Sequence, residues 1–306
     1  MNRVLVIGAA GMIGRKLTAR LLKEGVGELI QQDVVPFEGT VSDLSAPGEA
    51  EKLIAKRPDL IFHLAAVVSG EAEADFDKGY RVNLDGTRYL FEAIRKEGYK
   101  PKVVFTSSIA VFGAPFPDAI GDEFLNAPLT SYGTQKAIGE LLLSDYSRRG
   151  LFDGIGIRLP TICVRPGKPN KAASGFFSGI LREPLAGQEA VLPVPDTVRH
   201  WFASPRAAIE FLIHASRINT ELLGTRRNLS MPGLSATVAE QIAALGRVAG
   251  DKATRLIRRE PDQTIMRIVE GWPRNFDARR ALSLGFRPDP SFDDIIRYHL
   301  QDELGR

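Results

Sequence analysis

Cysteine is almost absent: Cys163 is the only one in 306 residues. A disulfide within the chain is therefore excluded, and a reducing, cytoplasmic setting is expected. With four histidines besides, no Cys/His cluster of metal-ligand spacing occurs, and no metal is expected. Long apolar runs are lacking too. None reaches the ~18 residues a membrane helix needs, and the apolar run behind Arg3 carries three glycines where a secretory leader would continue. The chain is expected to be soluble and unprocessed, with no membrane partner. An excess of one charge is missing as well, since 40 basic against 37 acidic residues leave +3. The densest basic run, Arg255 to Arg259, is broken by Leu256 and Ile257 and followed by Glu260-Pro261-Asp262. A solvated face is expected there, and no nucleic-acid partner.

What is present begins with apolar content. At 44% hydrophobic residues the chain can bury a full core, as one large domain or two. The opening stretch is Val4-Leu5-Val6-Ile7-Gly8-Ala9-Ala10-Gly11-Met12-Ile13-Gly14, followed by Leu17 and Leu21 at helical spacing. It reads as strand, tight loop and helix. Gly8 lets the chain turn, Gly11 lets backbone approach a pyrophosphate at the helix N-terminus, with Met12 and Ile13 in its first turn, and Gly14 lets the helix pack on the strand. The next strand, Leu29 to Asp33, ends in a carboxylate placed to accept from both ribose hydroxyls of a dinucleotide. A 2′-phosphate there would be repelled and no arginine directly follows, so NAD is expected rather than NADP.

Further on, strand-like and helix-like segments alternate. Strands are expected at 28–33, 59–64, 102–106 and 154–158, and helices at 49–56, 74–96 and 131–148. This implies an α/β fold with a doubly wound parallel sheet of Rossmann type, ligands gathering at the strand C-termini. After Arg158 the alternation loses regularity, with short strands at 190–194, 199–203 and 227–231 and helices at 205–217, 235–249 and 291–303. A dinucleotide-binding domain over 1–160 and a smaller, mainly substrate-binding part over 161–306 are expected, some segments of the latter returning to the first.

Tyr132-Gly133-Thr134-Gln135-Lys136 carries the chemistry. Positions i and i+4 share a helix face, so phenol and ammonium can enter one pocket. Lowering a phenol from ~10 to ~7 costs about 4 kcal/mol. An ammonium about 4 Å away supplies a similar amount at an effective dielectric of ~20. A tyrosinate base is thus within reach.

The glycine loop, Asp33, Thr106-Ser107-Ser108 at a strand end and this Tyr/Lys pair together resemble the extended short-chain dehydrogenase/reductase family, of the NAD-dependent epimerase/dehydratase superfamily. The resemblance runs nearly the whole length. His63-Leu64-Ala65-Ala66 is similar to the family's strand-end loop, whose backbone lies along the cofactor, and Val82 to Thr87 to its helix motif, with Asn83 bracing that region. Ser107 to Gly113 resembles the serine motif, with Phe112 in place of the usual tyrosine. Aligning on Val111 and Gly113 puts the catalytic hydroxyl at Ser108, with Ser107 the alternative. The resemblance further implies Asp43 and Leu44 at the adenine, Asp43 being open to a plain turn-capping role, and Pro160 and Thr161 over the nicotinamide. Asp277 to Pro288 looks like the family's closing helix and loop. Tyr132 would take the proton of a substrate hydroxyl, Ser108 would donate to the substrate oxygen, and Lys136 would hold the nicotinamide ribose and acidify the tyrosine.

Departures from the sugar-nucleotide members, Val164-Arg165-Pro166-Gly167 and Arg199-His200-Trp201-Phe202-Ala203, point away from a nucleotide sugar. Lys168, Asn170, Lys171 and Ser174 precede a helix from about Gly175, and Arg165 and Arg199 flank the expected cleft. Such groups suit a small anion held by arginine. Together with the loop Val67 to Glu73, these stretches resemble family members that oxidise the C2 hydroxyl of a four-carbon sugar acid to the 2-keto acid, with Ser69, Ser108, Tyr132, Arg165 and Arg199 as substrate residues. A sugar-nucleotide 4-epimerase, an L-threonine dehydrogenase and a redox-sensing NAD-binding module stay open, the last disfavoured by the Tyr/Lys pair. Either arginine could instead be a surface or interdomain ion-pair partner. His63, His214, Trp201 and Trp272 are expected to be structural. Long helices at 74–96 and 131–148 could form a homodimer.

Overall fold

A computed structural model describes residues 2–167 and 174–306. Its strands are β1 (Arg3–Ile7), β2 (Glu28–Asp33), β3 (Thr40–Val41), β4 (Leu60–His63), β5 (Lys102–Ser108), β6 (Asp153–Leu159), β7 (Thr161–Ile162), β8 (Ala190–Leu192), β9 (Arg199–Ala203), β10 (Asn228–Ser230), β11 (Leu234–Thr237) and β12 (Ile257–Arg259).

Successive side chains of a strand face opposite ways, so the apolar run of β1 feeds two cores. Val4 and Val6 pack with Leu17, Leu21, Phe211 and Leu212, from helices Met12–Lys23 and Pro205–Arg217. Leu5 and Ile7 pack with Leu53, Leu90, Phe91 and Leu143, from helices Glu49–Ile54, Gly86–Glu97 and Ser131–Arg148. Helices thus cover both faces of a seven-stranded parallel sheet of order β10-β6-β5-β4-β1-β2-β3. Strand order reverses between β1 and β4, which opens a crevice at their C-terminal ends.

The strand β10 and helix Pro205–Arg217 come from beyond residue 161 yet pack on this sheet. The rest of the C-terminal half builds a second core around Phe177, Phe202, Val238, Ile295 and Ile296. It carries the sheet β11-β9-β7 and the pair β12-β8.

Two expected helices depart from a regular course. The stretch 74–96 is one helical run from Phe76 to Glu97 that widens to a π-helical turn over Tyr80–Asp85, and a separate helix Ser69–Ala74 precedes it. Asp75 starts the run by accepting from the Lys78 amide, and Asn83, within the wider turn, is buried. The helix expected from 235 begins at Val238, because Leu234–Thr237 pairs with β9 and Thr237 forms a capping box with Glu240.

Candidate active site

The glycine loop meets the β4 loop at the switch point. Gly8 has φ +88°, and a β-carbon there would lie 2.7 Å from the Ala65 amide nitrogen. Leu64 and Ala65 both donate their amides to the Ile7 carbonyl. A β-carbon on Gly14 would lie 2.1 Å from the Gly8 carbonyl oxygen, which binds helix to strand. Around Gly11 only that oxygen is near, at 3.4 Å, so protein leaves the space beside it open. Gly11 caps the helix without a side-chain bond, and no acid stands in the first turn. The amides of Met12, Ile13 and Gly14 therefore face the crevice end with no helical partner, an arrangement that fits a pyrophosphate.

Asp33 is held beside this loop. Its Oδ2 accepts from the Ala10 amide at 2.9 Å and its Oδ1 from the Val34 amide at 2.7 Å. Both oxygens keep capacity for a diol. Asp43 accepts from the Ser45 amide and hydroxyl and pairs with Arg81 at 2.7 Å. Burial opposes its ionisation, and those hydrogen bonds together with Arg81 still hold its carboxyl below the usual range. Asp43 thus caps a turn, while Leu44 is buried in the core. Asn83 is a brace: its amide group spans the Val67 amide (2.7 Å), the Val67 carbonyl (3.0 Å) and Gln135 (2.7 Å). Nothing in the local sequence pattern marks Gln135, which lies between Tyr132 and Lys136.

Tyr132 and Lys136 stand on one face of Ser131–Arg148, whose N-terminus is capped by Thr130. Lys136 points its ammonium at the strand below. Its Nζ donates to the Thr106 carbonyl at 2.8 Å and lies 4.9 Å from the Phe105 ring centre, but 5.8 Å from that of Tyr132. A buried ammonium needs an acceptor, and the strand carbonyl below supplies it. Burial lowers Lys136 to about 8, with Glu140 opposing. Burial likewise raises Tyr132 above its ordinary value; the Ser108 hydroxyl and the Arg165 charge pull it back.

Adjacent serines have different surroundings. Ser107 is 3% exposed and gives its hydroxyl to Glu140 at 2.6 Å, whereas Ser108 lies beside the phenol and accepts from the Ala110 amide.

Arg165 donates from Nε to the Ile162 carbonyl (3.1 Å) and from Nη2 to the Ser174 hydroxyl (3.0 Å). No carboxylate among the described residues pairs with it, and burial pushes it below the usual guanidinium range. Arg199 has another setting: it bridges to Glu240 at 3.2 Å and donates to the Ser235 carbonyl. It lines a surface hollow with Arg267 and Arg274. Ser69 opens its helix in a half-buried position. Pro160 is buried, and the Thr161 hydroxyl lies 2.7 Å from His200 Nε2. His200 Nδ1 faces the Pro273 carbonyl, so Nδ1 carries the proton and Thr161 donates. Lys168, Asn170 and Lys171 lie outside the described residues.

The remaining residues expected to be structural sit accordingly. His63 bonds Thr87, His214 bonds the Leu284 carbonyl, Trp201 bonds the Met231 carbonyl, and Trp272 packs on the second core. Within the basic run, Arg258 pairs with Glu189 and Glu260, and Arg259 with Asp196. Among the described residues there is no candidate metal cluster, and no helix is long and apolar enough to cross a membrane.

Residues 4–203 match the model of the NAD dependent epimerase/dehydratase family. The chain is 48% identical to D-erythronate dehydrogenase of Cupriavidus necator, over 98% of both chains. It is 40% identical to D-erythronate dehydrogenase of Haemophilus influenzae, over 99% of this chain and all of that one. A crystal structure described as the nucleoside-diphosphate-sugar epimerase from Agrobacterium tumefaciens is similar at TM-score 0.94 and 67% identity, covering 99% of this chain and 95% of the other. With the dinucleotide crevice and the Ser108, Tyr132 and Lys136 cluster in place, the match over most of its length shows that the chain belongs to the NAD dependent epimerase/dehydratase family.

Proposed function

We propose that the chain is an NAD-dependent dehydrogenase that oxidises the C2 hydroxyl of a small sugar acid, D-erythronate to 2-dehydro-D-erythronate first among candidates. The observation that carries this reading is Arg165: a partly buried guanidinium without a carboxylate among the described residues, whose charge reaches the Tyr132 phenol. An anionic substrate would complete the pair and bring its neighbouring hydroxyl to that phenol. The two relatives named D-erythronate dehydrogenase support the choice of acid.

In this reading the glycine loop with Met12 and Ile13 holds the pyrophosphate, Asp33 the adenosine ribose, Asp43 and Leu44 the adenine side, Leu64-Ala65-Ala66 the backbone along the cofactor, and Pro160 and Thr161 the nicotinamide end. Bound NAD supplies the acceptor for the hydride leaving C2. Tyr132 takes the hydroxyl proton, Ser108 donates to the substrate oxygen, and Lys136 offers its remaining protons to the nicotinamide ribose. Arg165 holds the carboxylate and Ser69 the far end. Arg199, committed to Glu240, is left out of the substrate set.

The epimerase reading is favoured by the description of the Agrobacterium tumefaciens structure. Epimerisation returns the hydride, so the two readings differ in net NADH. Purified protein with D-erythronate and NAD is expected to accumulate NADH stoichiometrically. A flat trace with this acid, alongside turnover of a UDP-hexose, sinks the dehydrogenase. The reading includes a cytoplasmic setting and a homodimer through the helices Gly86–Glu97 and Ser131–Arg148, where Leu141 is 70% exposed. Light scattering tests the dimer.

A further inference from the structure

We infer that Glu140 is a positioning residue of the reaction centre, one carboxylate that locks the strand ends bearing Ser108 and leading to Thr161 onto the helix bearing Tyr132 and Lys136. This rests on the dehydrogenase reading and adds a residue which that reading does not use.

Glu140 stands one turn beyond Lys136 and two beyond Tyr132, on the same face. It is 1% exposed. Its Oε1 accepts from the Ser107 hydroxyl at 2.6 Å and from Arg158 Nε at 2.9 Å. Its Oε2 accepts from Arg158 Nη2 at 2.8 Å and Asn126 Nδ2 at 3.0 Å. All four donors come from other elements: Ser107 from β5, Arg158 from β6, and Asn126 from the loop before the helix. Ser107 and Arg158 are register partners across the two strands. Ser108 follows the first directly, and Leu159, Pro160 and Thr161 follow the second.

On its far side Arg158 faces a second buried carboxylate without a hydrogen bond to it. Asp122 lies 3.5 Å away, accepts the Ser230 amide and lies 3.7 Å from Arg280, while the Phe112 ring centre lies 4.8 Å from the guanidinium carbon. A dry, bidentate pair of this kind is a weak source of net stability, because desolvation offsets its attraction. It does hold geometry, since neither partner can move without leaving a buried charge unpaired.

Glu140 also acts on Lys136. The groups facing the Lys136 ammonium are the Thr106 carbonyl and Phe105 ring from β5, His63 from β4, and Tyr132 and Glu140 from its own helix. Glu140 is the anion among them and favours the charged lysine.

Two variants test this. Ser107→Ala removes one bond and leaves the ion pair; kcat with D-erythronate is expected to fall roughly tenfold, as small displacements at a reacting centre do, with KM, NAD affinity and Tm near native. Glu140→Gln keeps the shape and removes the charge. In the ligand-free protein, NMR of carbon-labelled lysine side chains is expected to show Lys136 titrating below where it titrates in the native protein, since Glu140 favours its charged form, and the alkaline limb of kcat should move with it. Native kcat in Ser107→Ala overturns the inference. So does a kcat loss matched by equal loss of NAD affinity and Tm, or an unmoved Lys136 titration. If Glu140→Gln does not fold, Ser107→Ala decides. Absence of NADH formation by the native protein would instead sink the dehydrogenase reading, with the lysine titration still judging Glu140.

Discussion

Gly133 packs against the Ala110 carbonyl so closely that a β-carbon on it would lie 2.2 Å from that oxygen. This contact seats the Ser108 turn on the helix of Tyr132, because the Ala110 amide in turn donates to the Ser108 hydroxyl. Gly133→Ala must push the two apart. Overpacking of this kind costs about 1–3 kcal/mol, and the displaced hydroxyl should lower kcat by roughly tenfold or more. Thermal unfolding and initial rates measure the two effects.

Tyr132→Phe removes the proton acceptor of the proposed reaction and little else. The turnover number is expected to drop by about 10²–10⁴-fold, the usual worth of a positioned acid or base. Calorimetric NAD binding should stay within a few-fold of native. Loss of binding together with turnover would make Tyr132 a structural residue.

Truncating Arg165 should be felt in KM. A hydrogen bond to a charged group contributes about 1.5–3 kcal/mol, so Arg165→Ala is expected to raise KM for the acid roughly tenfold to a hundredfold with NAD affinity unchanged. Arg199→Ala, which breaks the bridge to Glu240, should leave KM near native. The reverse pattern would move the carboxylate site.

In the proposed reading Asp33 sets the choice between the two nicotinamide cofactors. Its two oxygens, already oriented by the Ala10 and Val34 amides, repel a 2′-phosphate. Asp33→Ala should weaken NAD about tenfold or more through the lost charged hydrogen bonds and narrow the gap to NADP. Paired titrations of both cofactors measure this.

Stability should fall on the acid side of neutrality because three histidines, His63, His200 and His299, are buried and held below their ordinary value by that burial. Burial lowers His63 to about 3 and His200 to about 4, from 6.5 in an unfolded chain. Below pH 6.5 the unfolded state therefore binds protons that the folded state refuses. Stability is full above that value and declines by up to about 1.4 kcal/mol per pH unit for each histidine. Urea midpoints compared at neutral pH and near pH ~5, above most carboxylate titrations, should show the decline, and His200→Asn should reduce its slope.

Local pattern was enough for the elements that carry the site. The run Val4 to Gly14 and the four-residue spacing of Tyr132 and Lys136 follow from backbone periods of two and 3.6 residues, and the helix Ser131–Arg148 has the bounds its sequence predicts. The stretch 74–96 is helical from Phe76 to Glu97 as its period predicts, and what its period does not show is the wider turn over Tyr80–Asp85. Asn83 and Gln135, 52 residues apart, carry no local mark of their pairing.

By itself the sequence determined a parallel α/β sheet, a glycine crevice for a dinucleotide and one helix face shared by a phenol and an ammonium. Each of these follows from hydrogen-bonding periodicity and the burial of apolar stripes. Only tertiary structure decided which serine meets the phenol, which arginine keeps a charge available, and that Lys136 turns to the Thr106 carbonyl. Those choices rest on which acceptors lie within reach of each buried polar group once distant strands are side by side, and chain order does not encode such proximity.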